Sequence, residues 1–75
     1  MRDYRFHSPQ FSDREQEVFR LLLKGMSNKE IAKALAICQK TVEEHLMSIY
    51  KKIGTTSRAK AMVWWTTHNR DFRSQ

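Results

Sequence analysis

The stretch SNKEIAKALAICQKTVEEHLMSIYKKIG, residues 27–54, decides the fold. It opens on Ser27-Asn28-Lys29-Glu30, a capping box. The Ser27 hydroxyl can accept from the Glu30 amide while the Glu30 carboxylate reaches back to the Ser27 amide. Met26 and Ile31 flank the box as a hydrophobic staple. Ile31, Ala32 and Leu35 then form the buried stripe of a short helix. Ala36-Ile37-Cys38 makes a tight turn, and Ile37 with Val42 forms a second staple that puts the next cap at Cys38. A thiol is a poor cap beside Ser or Thr. Beyond it Val42, Leu46, Ile49 and Ile53 recur at steps of four, three and four, one continuous inward face running to a stop at Gly54, with Lys51 and Lys52 in the last turn. Two helices joined by about three residues, the second with a polar outer face, make a helix-turn-helix. The usual turn glycine is replaced by Ala36.

Outward from this stretch the chain adds two helices. Ser12-Asp13-Arg14-Glu15 is another capping box, followed by Val18, Phe19 and Leu22 at helical spacing and by Gly25 as a left-handed stop. Downstream, a fourth helix is expected from Ser57 to about Thr67, with Ala61, Met62 and Trp65 inward. Residues 1–10 lack periodicity and read as an arm. Residues 11–68 read as the domain, and residues 69–75 as a polar tail that frays. There is no strand pattern, so the fold class is all-α with four helices.

Seventy-five residues allow one domain with a small core. A single Cys, Cys38, precludes an internal disulfide and fits a reducing compartment. No stretch approaches the roughly 18 apolar residues of a membrane helix, and no secretory signal opens the chain. The expectation is a cytoplasmic protein with no membrane partner. The net charge is +6. Between Lys24 and Lys60 eight Lys or Arg face three acids, so most of the excess lies in and around the helix-turn-helix, where it would attract phosphate. His7, His45, His68 and the acids show neither metal nor triad spacing, so the chain is read as no enzyme, with no metal and no cofactor.

Burying one face of the third helix assigns the others by angle. Opposite the core stripe lie Lys40, Glu44, Met47 and Lys51, with Glu43 beside them. A helix laid in the major groove would aim this stripe at base edges. On the flank lie Thr41, His45, Ser48 and Lys52, hydrogen-bond donors suited to phosphate. The amides near Ser27, Asn28 and Lys29 add an anion site at a helix start. An exposed Met among charges suits contact with a thymine methyl. Glu43 and Glu44 cost electrostatic affinity and fit DNA only by accepting from a cytosine amino group.

The blocks Phe11 to Val18, Gly25 to Ala32, Lys40 to His45, Lys52-Ile53-Gly54 and Ser57-Arg58 together resemble the LuxR/GerE-type DNA-binding domain over roughly residues 11–67. The resemblance implies a four-helix fold in a bacterial transcription regulator that binds inverted half-sites on double-stranded DNA. It implies base reading by Glu43, Glu44 and Met47. It implies a backbone or helix-positioning role for Ser27, Asn28, Lys29, Lys40, Thr41, His45, Lys52 and Arg58, which Ser48 and Lys51 join from their place on the helix. The fourth helix is commonly the dimer surface in that family, which assigns Ala59, Met62, Val63, Trp64 and Thr66 to a homodimer interface. Cys38 stands where a Ser cap is frequent, Ser48 where Asn is frequent, and the Glu43-Glu44 pair where basic or neutral residues are more usual.

The Met1 start favours a stand-alone regulator of the GerE type over an excised fragment. Another functional class remains open: a truncated interaction protein that pairs through helix four with a full-length relative and inhibits it. Val63, Trp64 and Trp65 cannot all be buried by one helix face, so Trp64 or Val63 should meet a partner or lie under Phe72. A second regulator or RNA polymerase is a further candidate partner. Region four of a sigma factor shares the Arg-Glu-Gln-Glu-Val pattern, but His45 and the segment from Gly54 to Arg58 fit the LuxR/GerE type better.

Overall fold

A computed structural model describes residues 11–73, with side chains placed for residues 11–67. The proposed arm over residues 1–10 lies outside the described residues. Four helices follow one another: α1 (Asp13–Leu23), α2 (Asn28–Leu35), α3 (Gln39–Ile53) and α4 (Arg58–Arg73).

Each start is built as its local sequence dictates. The Ser12 hydroxyl accepts from the Glu15 amide at 3.1 Å and the Ser12 amide donates to Glu15 Oε1 at 2.9 Å. Ser27 and Glu30 repeat the pattern at 3.1 and 2.8 Å. Both boxes therefore satisfy amides that the helix itself leaves without acceptors. At α4 the Ser57 hydroxyl accepts from the Lys60 amide at 3.0 Å. Cys38 occupies the cap position of α3 and its side chain makes no capping hydrogen bond, as expected of a thiol.

The three helix ends share one device. Met26, Ile37 and Thr55 each donate a backbone N–H to the carbonyl five residues back, at 3.3, 3.0 and 2.9 Å. This wrap requires a left-handed residue one position earlier. Gly25 and Gly54 supply it at φ of 87° and 79°. Between α2 and α3 the left-handed residue is Ala36, at φ 57° and ψ 44°, which carries a steric cost of about 1 kcal/mol that glycine would avoid.

The core is the sum of the apolar stripes. Val18, Phe19 and Leu22 of α1 meet Ile31 and Ala32 of α2, Val42, Leu46 and Ile49 of α3, and Ala61 of α4, all buried. Helix α3 lies at the centre, packed against α1, α2 and α4. Helix α3 is therefore held by three neighbours and keeps one side exposed. Helix four corrects the sequence reading in extent. It continues to Arg73 rather than stopping near Thr67. No Gly or Pro follows Gly54, and polarity alone does not end a helix.

Candidate nucleic-acid interface

The inward side of α3 is fixed by a buried carboxylate as well as by apolar contact. Glu15 shares the apolar stripe of α1, at the spacing of Val18, Phe19 and Leu22, and is only 6% exposed. Its Oε2 accepts from Ser48 Oγ at 2.6 Å. Its Oε1 accepts from Lys52 Nζ at 2.7 Å and from the Ser12 amide. Burial alone would push this carboxyl up. The Lys52 ammonium, the Ser48 hydroxyl and the Ser12 amide together outweigh it and hold the group down from 4.5 to about 2. One side chain thus closes the α1 cap and ties α1 to two successive turns of α3. Sequence reasoning found Glu15 as a capping residue and missed this second role. A carboxylate in phase with an apolar stripe was the signal.

Ser48 and Lys52 are therefore not simply flank donors. The Ser48 hydroxyl proton is directed at Glu15. Lys52 keeps its side chain 37% exposed while it pairs with Glu15, so its ammonium stands at the edge between core and solvent. Thr41 and His45, the other flank residues, are half-buried.

The outward side of α3 carries Lys40, Glu43, Glu44, Met47 and Lys51, all exposed, Met47 at 69%. Met47 lines two shallow grooves. One, of about 540 Å³, is lined by Glu44, Ser48, Tyr50, Lys51, Thr55 and Thr56 as well as Met47. The other, of about 400 Å³, has Asn28, Glu43, Leu46, Tyr50 and Arg58 around the same methionine. Tyr50 lines both and was not singled out from the sequence. Burial pushes its hydroxyl up, with the Arg58 charge acting in the opposite direction, so it is a proton donor across the neutral range.

The starts of α2 and α4 are joined here by Arg58, half-buried, which donates to Asn28 Oδ1 at 3.1 Å and to the Met26 carbonyl. Ser27 and Lys29 lie exposed beside this clamp. The structure thus brings Asn28 of the α2 start and Arg58 to the groove lined by Glu43 and Met47 of the outward stripe of α3.

The proposed dimer residues fall differently. Ala59, Val63 and Thr66 are exposed on α4, Val63 at 64%, and Met62 is half-buried between them. Trp64 is turned toward α1. It is half-buried, its ring centroid 6.5 Å from Phe11 and 6.2 Å from Phe19. Trp65 meets Phe19 edge-on at 5.9 Å. Of the two residues expected to compete for a partner, Val63 is the exposed one. The side chain of Phe72, the other proposed cover for Trp64, lies outside those described. Among the described residues no cluster of three metal-ligating side chains occurs, and no helix is long and apolar enough to cross a membrane.

Residues 9–65 match the sequence profile of the GerE family, described as bacterial regulatory proteins of the luxR family. The chain belongs to this family. It is a LuxR-family transcriptional regulator DNA-binding domain, and its relatives are regulators rather than enzymes. It is 41% identical to the spore germination protein GerE of Bacillus subtilis, over 84% of this chain and 86% of that protein. It is 38% identical to the CsgBAC operon transcriptional regulatory protein of Escherichia coli, over 83% of this chain but 30% of that protein. In a crystal structure, part of the response regulator ChrA of a heme-sensing two-component system has the same fold. Its TM-score is 0.74 at 34% identity, covering 87% of this chain and 33% of ChrA. The chain thus spans about a third of such longer LuxR-family proteins and most of the length of GerE.

Proposed function

We propose that this LuxR-family domain binds double-stranded DNA sequence-specifically, with α3 in the major groove, as a homodimer on inverted half-sites. The observation that carries the reading is the division of α3. Its inner side is held by the core and by Glu15, while Glu43, Glu44 and Met47 stand outward with Lys40 and Lys51 beside them. A helix so fixed presents its outer side chains with little loss of freedom on binding. Lys40, Lys51, Lys52, Thr41, His45 and Ser48 of α3, with Ser27, Asn28 and Lys29 at the α2 start and Arg58, form the surround that meets the phosphates or positions the elements that do. The exposed stripe Ala59, Val63 and Thr66, with Met62 at its edge, supports pairing through α4. Twofold pairing there would present two reading helices to two inverted half-sites.

The test is the affinity of the protein for a promoter duplex as salt is raised. Each phosphate neutralised contributes about −0.9 to the slope of log K against log salt. A steep slope together with competition favouring one sequence is expected. Salt-independent binding, or equal affinity for every sequence, would refute the proposal.

A further inference from the structure

The reading stripe is chemically one-sided. Among the described residues no hydrogen bond or ion pair engages Glu43 or Glu44, whereas Glu15, Glu17 and Glu30 all have partners. Glu44 shares its groove with Lys51, and Glu43 shares the other with Arg58 and Asn28. Met47 lines both. The stripe therefore offers carboxylate acceptors and one apolar side chain, flanked by cations.

A carboxylate on a DNA-facing surface is repelled by phosphate and gains from the DNA itself only where a base edge offers a donor. The major groove has two such donors, the amino groups of cytosine and adenine. Adenine places its N7 acceptor next to the amino group, which repels a carboxylate. Cytosine has a C–H at the neighbouring position and no acceptor of its own there. The thioether of Met47 needs an apolar partner, and the apolar group in the major groove is the C5-methyl of thymine. Glu44 and Met47 are three residues apart on one stripe, about 4.5 Å along the helix axis. Base pairs are stacked at about 3.4 Å. We infer that each half-site presents a cytosine amino group to Glu44 and a thymine methyl to Met47, one or two base pairs apart. This rests on the DNA-binding reading above and adds the chemistry of the bases read.

The experiment selects duplexes bound by the intact chain from a random pool and sequences them. The selected duplex is then remade with deoxyuridine for the thymine of one half-site, which removes only that methyl group. The expected result is a fixed cytosine with a thymine one or two base pairs away. Deoxyuridine should weaken binding about 3- to 5-fold, the value of one buried methyl group, and should leave Met47→Ala unaffected. Glu44→Gln should move the preference from cytosine toward adenine, because an amide adds the donor that N7 requires. Both side chains are exposed, so neither variant disturbs the core. Salt-sensitive binding to a selected sequence that lacks the cytosine, or a deoxyuridine effect equal in the original protein and Met47→Ala, overturns the inference and leaves the DNA-binding reading standing. No binding to any duplex at low salt overturns both.

Discussion

Replacing Glu15 by Gln keeps the side-chain volume and one acceptor oxygen, and removes the charge that Lys52 and Ser48 address from α3. The carboxyl is held at about 2 in the folded protein against 4.5 when unconstrained, a difference equivalent to about 3 kcal/mol of stability at neutral pH. Lys52 is 37% exposed, so solvent screening reduces its share and about 2 kcal/mol is the expected loss. For a domain of this size that is a fall in Tm of about 10 °C. The sign with pH follows from a folded pKa lying below the unfolded one. The stabilisation is complete above about 4.5 and disappears as pH falls through about 2. Thermal melts followed by far-ultraviolet circular dichroism at pH 7, 5, 3.5 and 2.5 read both effects. Glu15→Gln should melt well below the unmodified chain at pH 7, and the gap should close as the solution is acidified. Equal melting at pH 7, or a gap that persists undiminished toward pH 2, would refute the role assigned to Glu15.

Three further outcomes follow from the same geometry. Cys38→Ser supplies a hydroxyl to the uncapped start of α3 and should raise stability by about 0.5–1 kcal/mol, visible as a higher Tm. Val63→Glu places a charge on the exposed large apolar residue of α4 among the described side chains, and sedimentation equilibrium should show a shift from dimer to monomer. The Val63→Glu monomer should keep the far-ultraviolet circular dichroism spectrum of the original, because Val63 is 64% exposed. Lys51→Ala should weaken all duplexes alike and reduce the salt slope by about 0.9 for each of the two subunits whose Lys51 meets a phosphate, about 1.8 for the dimer. A change at one base pair only would place Lys51 among the reading residues instead.

What was legible in the sequence was local. The boxes at Ser12 and Ser27, the stops at Gly25 and Gly54 and the stripe Val42, Leu46, Ile49 concern residues within one or two turns of each other, and the helices begin and end accordingly. Ala36 was read in the place of the usual turn glycine, and it takes the left-handed conformation a glycine would have eased. What could not be read depended on partners far apart in the chain. Glu15 reaches residues 33 and 37 positions away, and Arg58 reaches back 30 to Asn28. The choice between Val63 and Trp64 was decided by Phe19 of α1 and by Phe11 just ahead of it. Helix four outran its expected end because nothing in its sequence stops it.

The central claim is that the outward face of α3 meets DNA while its inward face holds the fold. Amide chemical shifts, recorded as a selected duplex is titrated into the protein, test this most directly. The largest changes should fall on residues 39–52 of α3 and on the α2 start near Ser27 to Lys29, with the α1 face around Val18 and Leu22 little affected. Changes concentrated on α1, or spread evenly over all four helices, would contradict the claim.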